Sequence, residues 1–242
     1  MKRSMSMLTL IAVGMVLAGC GGGGGSGTAL PPPGTTFGLE AAMVALETSG
    51  FQKTASVSGS ASLSGVTYPI SGSVTLTLAP IGAQTVFNGQ SALLSSSSYS
   101  GSVTVDGQTL ALNETQQAYL STSFAPLGYV TSTAYCVAPV PGVVPATVVL
   151  GDSGTVVTYD CYSDATLSTP TGSESLSYTV DPGVSSSTVT VALHTSMTDA
   201  SGQQIAVEED DYLLDTAGVL ALQRASLGGT FSGVAMTLQL AF

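Results

Sequence analysis

The stretch Thr188-Val189-Thr190-Val191-Ala192-Leu193-His194 alternates its side chains with a period of two: Val189, Val191 and Leu193 point one way, Thr190, Ala192 and His194 the other. That period belongs to a β-strand with one face on a core. Working outward, the same pattern recurs in strands near 173–181, 186–198, 203–214, 219–227 and 231–241. The breaks between them carry turn chemistry, in Asp181-Pro182-Gly183, Asp199 to Gly202, Asp215 to Gly218 and Gly228-Gly229. Breaks this short leave no room for crossover helices, so the strands run antiparallel in a five-stranded meander.

Upstream the alternation is made of smaller side chains, as in Ser60-Ala61-Ser62-Leu63, Val74-Thr75-Leu76-Thr77-Leu78 and Ser102-Val103-Thr104-Val105. Pairs that favour positive φ punctuate it: Ser64-Gly65, Asn88-Gly89, Asp106-Gly107, Ser153-Gly154, Ser201-Gly202 and Ala217-Gly218, all read as hairpin turns. Residues 58–70 (SGSASLSGVTYPI) align with 100–112 (SGSVTVDGQTLAL), and both copies read as strand, two-residue turn, strand. This is a repeated hairpin and not a solenoid, because the period does not recur after residue 125. The helical signal lies in residues 38–49, where Leu39, Met43 and Leu46 share a face, Glu40 sits in the first turn and Gly50 can close the helix. The expected fold is all-β: a single antiparallel meander of about a dozen strands over residues 38–242, as a curled sheet, half-barrel or sandwich, with one short N-terminal helix. Residues 125–172 are less regular, and Pro139, Pro141, Gly142 and Pro145 are expected to form a surface loop there, flanked by Cys136 and Cys161.

At the N-terminus, Lys2 and Arg3 precede an apolar run from Met7 to Ala18 that ends in Leu17-Ala18-Gly19-Cys20. This has the layout of an export signal, and the run is too short to span a bilayer as a permanent helix. The tetrad resembles the lipobox of bacterial lipoprotein precursors. The resemblance implies a signal peptide over 1–19, removed before Cys20, and acyl chains on Cys20 that hold the protein to a membrane. Two chains already suffice for stable anchoring. Gly21 and not Asp follows Cys20, which implies the outer membrane in a two-membrane cell envelope. Residues 20–37 form the expected tether: Gly21 to Gly27 are Gly apart from Ser26, and Pro31-Pro32-Pro33-Gly34 makes a stiff spacer. The globular part resembles other bacterial lipoproteins with Gly-rich tethers, a likeness that carries no activity with it.

With Cys20 lipidated, Cys136 and Cys161 are the two remaining thiols, and an exported protein sits where disulfides persist. A disulfide between them is expected; neither CxxC spacing nor a neighbouring His supports a metal. The full chain has 4 Lys+Arg against 15 Asp+Glu, a net charge of −11. Loss of residues 1–19 leaves only Lys53 and Arg224 as cations and takes the charge to −13. Nucleic acid and anionic lipid surfaces both need clustered cations, so neither is an expected partner.

Gly151-Asp152-Ser153-Gly154 resembles the nucleophile segment of chymotrypsin-like proteases, and its first three residues open the block of GDSL-type esterases. Both resemblances break down: Thr155 follows where the protease has glycine, the only histidine lies downstream, and Val191 stands where the esterase needs Asp. The segment therefore reads as a hairpin turn, and His194 as an ordinary residue on a strand's polar face. In the acidic run Glu208-Glu209-Asp210-Asp211, alternation sends Glu208 and Asp210 to one face and Glu209 and Asp211 to the other. It reads as a solvated edge strand that blocks aggregation, with Glu208 and Asp210 as weak calcium candidates. No catalytic residue, other metal site or cofactor is expected.

The final residues, Val234 to Phe242, resemble the closing strand of outer-membrane β-barrels; the absence of Trp, only nine Tyr and six Phe, and the lipobox weigh against a spanning barrel. A short helix ahead of a many-stranded sheet is also similar in outline to the half-barrel carriers of the lipoprotein-sorting and mycobacterial lipid-transport families. The expected function is thus that of a non-enzymatic envelope lipoprotein, a tethered β domain with a binding or structural role toward an envelope protein or lipid partner. A carrier of hydrophobic ligands is the alternative and a membrane barrel the minor one.

Overall fold

The computed structural model describes residues 30–231 and 233–242. The expected signal peptide (1–19), Cys20 and part of the expected tether (20–37) lie outside them. The described chain runs through helix α1 (Leu39–Ser49), then strands β1 (Phe51–Leu63), β2 (Val66–Ala79), β3 (Gln84–Phe87), β4 (Gln90–Val105) and β5 (Gln108–Leu120). The shorter β6 (Pro126–Val130) and β7 (Tyr135–Val137) follow. The C-terminal series is β8 (Ser153–Tyr162), β9 (Pro170–Pro182), β10 (Thr188–Asp199), β11 (Gln204–Asp215), β12 (Leu220–Phe231) and β13 (Val234–Ala241).

Each strand from β4 to β13 pairs antiparallel with the next, and the meander then closes on itself. β13 pairs with β1 (Val57 opposite Leu240), β1 with β2, and β2 with β4 (Gly72 opposite Val103). The result is a closed barrel of twelve strands, with β3 extending the wall beside the start of β4 where β2 has ended. All-β meander and single N-terminal helix are as the alternation implies, whereas the half-barrel and sandwich forms give way to full closure. Three of the turn pairs, Ser64-Gly65, Asn88-Gly89 and Asp106-Gly107, have both residues at positive φ, between 46° and 82°. That is the two-residue hairpin geometry that matches strand twist.

Several local expectations are corrected. The proline-bearing loop expected between Cys136 and Cys161 occupies 138–152, and the rest of 125–172 contributes β6, β7, β8 and the start of β9 to the wall, with a second irregular stretch at 163–169. The prolines mark their loop correctly and say nothing about the strands on either side. Ser153-Gly154 is not a turn but the start of β8; the reversal lies just before it, where Asp152 accepts the Val149 N–H at 2.8 Å. Gly228-Gly229 does not end a strand either. Both stay in register with β13, opposite Thr237 and Met236, and the chain turns only after Phe231. The solvated edge strand at 208–211 fails because β11 is paired on both sides, with β10 and β12. A closed barrel has no edge to protect.

A twelve-strand barrel is wider than the eight-strand barrels whose lumen side chains alone can fill. One end is closed by α1, which buries Leu39, Ala42, Met43, Leu46 and Glu47. The helix is held from several sides: Ile81 N–H donates to the Glu47 carbonyl, Glu40 N–H to Pro145, and Phe37 pairs with Val148. Gly50 ends it at φ 63°, its N–H on the Leu46 carbonyl, in a space where a Cβ would lie 2.6 Å from the Leu78 oxygen. No larger residue fits that reversal. Side chains of the wall and the helix join in one apolar core that includes Leu76, Leu214, Leu222, Val189 and Val191. Leu214 is fully buried, so Leu214→Ala is expected to lower the free energy of unfolding by about 3–5 kcal/mol. A urea titration followed by circular dichroism reads this; a loss under 1 kcal/mol would contradict the packing described.

Away from the separate cluster of Phe87, Leu127, Tyr119 and Tyr135, the outward face is mostly polar. On β1 it carries Thr54, Ser56, Ser58 and Ser60, all but Ser60 exposed, and on β2 Ser71, Ser73, Thr75 and Thr77. Hydroxyl pairs run across this wall, as between Thr54 and Thr75 at 2.8 Å and between Ser62 and Thr67 at 2.8 Å. A barrel in lipid needs the reverse arrangement, apolar outside. No helix among the described residues is long and apolar enough to cross a membrane.

Candidate binding cavity in the barrel lumen

Opposite the helix plug, the lumen is not filled. A cavity of about 90 Å³ lies between β1, β2, β4, β5, β12 and β13, lined chiefly by Val57, Ile70, Val103, Leu112, Met236 and Leu238. Val105 and Leu110, which flank the β4–β5 turn, and Phe231 and Val234, which flank the last hairpin, carry it to the barrel mouth. Tyr99 and Glu114, opposite each other across β4 and β5, also contribute to its lining. Its wall is almost wholly apolar.

The local sequence explains the empty space. Three Ser-Gly-Ser triplets, at 58–60, 71–73 and 100–102, put serine outside and glycine at the inward positions Gly59, Gly72 and Gly101 of three adjacent strands. The cavity is lined by the inward neighbours of those glycines, Val57, Ala61, Ile70, Val74, Tyr99 and Val103. A Cβ at any of the three would collide with a carbonyl oxygen of the next strand, of Thr237, Ser102 or Ser73. These glycines let the wall bend sharply and remove side chains from the lumen at the same place. The 58–70 and 100–112 likeness contained two of the triplets; read only as hairpin chemistry, it missed what the glycines do inside.

Beside the cavity, on β9 and β11, the lumen holds Glu174, Glu208 and Asp210, each at most 8% exposed. Burial pushes the Glu174 carboxyl up to about 8, even though Tyr129 Oη donates to its Oε2 at 2.6 Å. Glu208 rises well above the carboxylate range, first through burial and then through the neighbouring Asp210 and Glu174. Asp210 is raised too, through burial and then Asp211 and Glu209. Tyr99, Tyr129 and Tyr159 line the same interior with their hydroxyls held protonated by burial and these carboxyls. None of the described cations neutralises this layer. Lys53 reaches the Leu222 carbonyl at 3.2 Å near the plugged end, and Arg224 and His194 face outward. A second void of about 10 Å³, room for roughly one water, is bordered by Gln116, Tyr129, Tyr159, Glu174 and Thr195. Gln116 Oε1 and Glu47 Oε2 are buried there and under the helix without hydrogen-bond partners among the described residues.

The residues singled out from the sequence separate into three places. Cys136 and Cys161 lie opposite each other on β7 and β8 and are joined in a disulfide. Glu208 and Asp210, the calcium candidates, share the interior as alternation required, but no group of three or more His, Cys, Asp or Glu arranged to hold a metal occurs among the described residues. On the outer wall Arg224 Nε meets Asp211 at 2.6 Å and Arg224 Nη2 meets Glu209 at 3.1 Å. His194 lies between Glu209 (Nδ1 to Oε2, 3.3 Å) and Thr179 (Nε2 to Oγ1, 3.1 Å). That order of hydroxyl, imidazole and carboxylate has the spacing of a nucleophile and its base. It stands on a continuous ladder of β9, β10 and β11, whose backbone N–H groups are engaged between strands, so among the described residues the ladder offers no free backbone donor pair beside it for an oxyanion.

Fold and cavity together define a closed, helix-plugged antiparallel β-barrel with an apolar pocket at its hairpin end. No protein-family model, no curated protein and no solved structure matches the chain.

Proposed function

We propose that this chain is a non-enzymatic lipoprotein of the cell envelope, anchored through Cys20, whose barrel binds a hydrophobic ligand in the lumen. The observation that carries the reading is the apolar cavity at the mouth, built by inward glycines in a wall that otherwise packs tightly. A barrel serving only as a spacer has no need of an unfilled apolar lumen, and small-molecule sites take this form of apolar walls with few polar groups. The Ser/Thr-covered outer face supports a tethered barrel over a membrane-spanning one. The flat setting of Thr179, His194 and Glu209 supports binding over hydrolysis.

Because the cavity is small, the ligand enters end-on, with a short alkyl segment inside and the remainder at the mouth. Hexanol is a suitable neutral probe. Ligand-observed saturation-transfer NMR on the exported full-length chain is expected to detect its binding, and Val103→Phe, which fills the cavity, is expected to weaken it at least tenfold while leaving the melting temperature within a few degrees. Absence of hexanol binding to the wild-type chain at millimolar concentrations would sink the reading, as would equal binding by Val103→Phe. Cys20→Ser should leave an unprocessed precursor that takes up no labelled fatty acid; processing and fatty-acid labelling unchanged in Cys20→Ser would remove the anchor.

A further inference from the structure

The hairpin end of the barrel, where the cavity opens, carries acidic side chains. Glu114 lines the cavity with its stem and carries its carboxylate toward Ser132 in the β6–β7 turn, 3.5 Å from that hydroxyl, at the hairpin end of the barrel. The same end carries Asp106 in the β4–β5 turn, Asp164 in the β8–β9 loop and Asp199 at the β10–β11 turn. Asp164 and Asp199 are held below the usual carboxylate range by hydrogen bonds from Thr166 and Ser201 and are ionised at neutral pH. No Lys or Arg among the described residues stands at this end: Lys53 bonds near the plugged end, and Arg224 is engaged with Glu209 and Asp211 on the outer wall. Charge of one sign at a low-dielectric opening concentrates ions of the opposite sign and repels its own.

We propose that the cavity takes a lipophilic amine, with the alkyl end in the lumen and the ammonium at the mouth beside Glu114, and that it rejects the matching carboxylate. This rests on the binding reading given above. An ammonium left at the rim keeps part of its hydration and lies beside Glu114, at an end of the barrel that also carries Asp106, Asp164 and Asp199, whereas a fatty-acid head would meet the like charge of Glu114. The apolar wall accounts for the chain in either case, so chain length and head charge can be tested separately.

The test compares hexylamine, hexanol and hexanoate on the exported full-length chain at pH 7.4, by saturation-transfer NMR titration at 20 mM and at 500 mM NaCl. The expected order is amine tighter than alcohol and alcohol tighter than carboxylate, with at least a tenfold ratio between the two ends at low salt, shrinking at high salt as screening demands. Glu114→Gln removes the charge at near-constant shape and should cut that amine-to-carboxylate ratio at least threefold, the ratio being taken within each protein so that any common change in cavity affinity cancels. Hexanoate binding as tightly as hexylamine would overturn the inference and leave the binding reading standing, because hexanol reports on the cavity alone. A ratio unchanged in Glu114→Gln and at high salt would also overturn it. Failure of all three probes would remove the binding reading itself.

Discussion

Acidifying the protein from pH 8 to pH 5.5 is expected to raise its melting temperature by about 6–10 °C. The cause is the carboxyl layer in the lumen. Glu174 titrates near 4.5 when unfolded and is pushed up to about 8 by burial in the folded barrel. Over that window the unfolded chain has released a proton that the folded chain still holds, so stability falls as pH rises, by about 1.4 kcal/mol per unit. The stabilisation is fully present below 4.5 and is lost progressively up to 8. For Glu174 alone the step from 8 to 5.5 is on the order of 3 kcal/mol, and 1 kcal/mol shifts a domain of this size by about 2–4 °C. Glu208 and Asp210, raised by burial and by their neighbours, act in the same direction. Asp164 and Asp199 act the opposite way, since their carboxyls are held low, but only below about pH 4, where they take up protons. Glu174→Gln keeps an acceptor for Tyr129 and removes the titration, so it should flatten the profile and raise stability at pH 8. Thermal unfolding by circular dichroism across pH 5–8 measures both effects. A melting temperature at pH 5.5 no higher than at pH 8 would show that these carboxyls are solvated in the folded protein.

Breaking the Cys136–Cys161 bridge is the second large effect. The bond staples β7, only three residues long, to β8 and closes a loop with a sequence separation of 25. The chain-entropy relation gives about 3.5 kcal/mol for a loop of this length. The replacement Cys136→Ser with Cys161→Ser should therefore lower the urea midpoint clearly and lower stability by about 3 kcal/mol. The loss should appear first as faster amide exchange in β6 and β7, where pairing is shortest. Cys161 Sγ also lies 3.7 Å from Tyr129 Oη, the donor to Glu174, so part of the pH profile should change with it. A double variant as stable as the parent, with unchanged exchange in β6 and β7, would show that the short strands hold by pairing and packing alone.

Much of the wall could be read along the chain. Alternation from Thr188 to His194 placed Val191 and Leu193 inside and Thr190 and His194 outside, and each strand near it repeats the scheme. The helix was legible because Leu39, Met43 and Leu46 share a face and Gly50 ends it. Where the reading failed, the deciding contact was distant. Gly228-Gly229 looks like a turn in isolation, but pairing with Thr237 and Met236 keeps it extended. Tyr129, Cys136 and Tyr159 sat in a stretch dominated by prolines, and they enter the barrel only because β5 and β9 offer edges on both sides. The acidic run was split correctly between two faces, yet which face was dry could not be known until the sheet closed.

The candidate site shows the same division. Its residues are individually commonplace: valine, leucine and glycine in β-strands. The Ser-Gly-Ser triplets were visible at 58–60 and 100–102, and a third stands at 71–73. Their joint effect depends on β1, β2 and β4 lying side by side, which requires β2 to leave β3 and pair with β4. No periodicity records that pairing.

By itself, the sequence determined the strand alternation, the turn positions with two-residue positive-φ pairs, the helix and its terminating glycine, and the strongly acidic balance, because each rests on neighbours within a few residues. The tertiary structure alone decided that β13 meets β1 and β2 meets β4, and with that closure which carboxyls are buried, which thiols face each other, and where the lumen stays empty. The physical reason is that burial and cavity volume are properties of surfaces brought together from far along the chain, whereas local conformation is set by sterics and hydrogen bonds close in sequence.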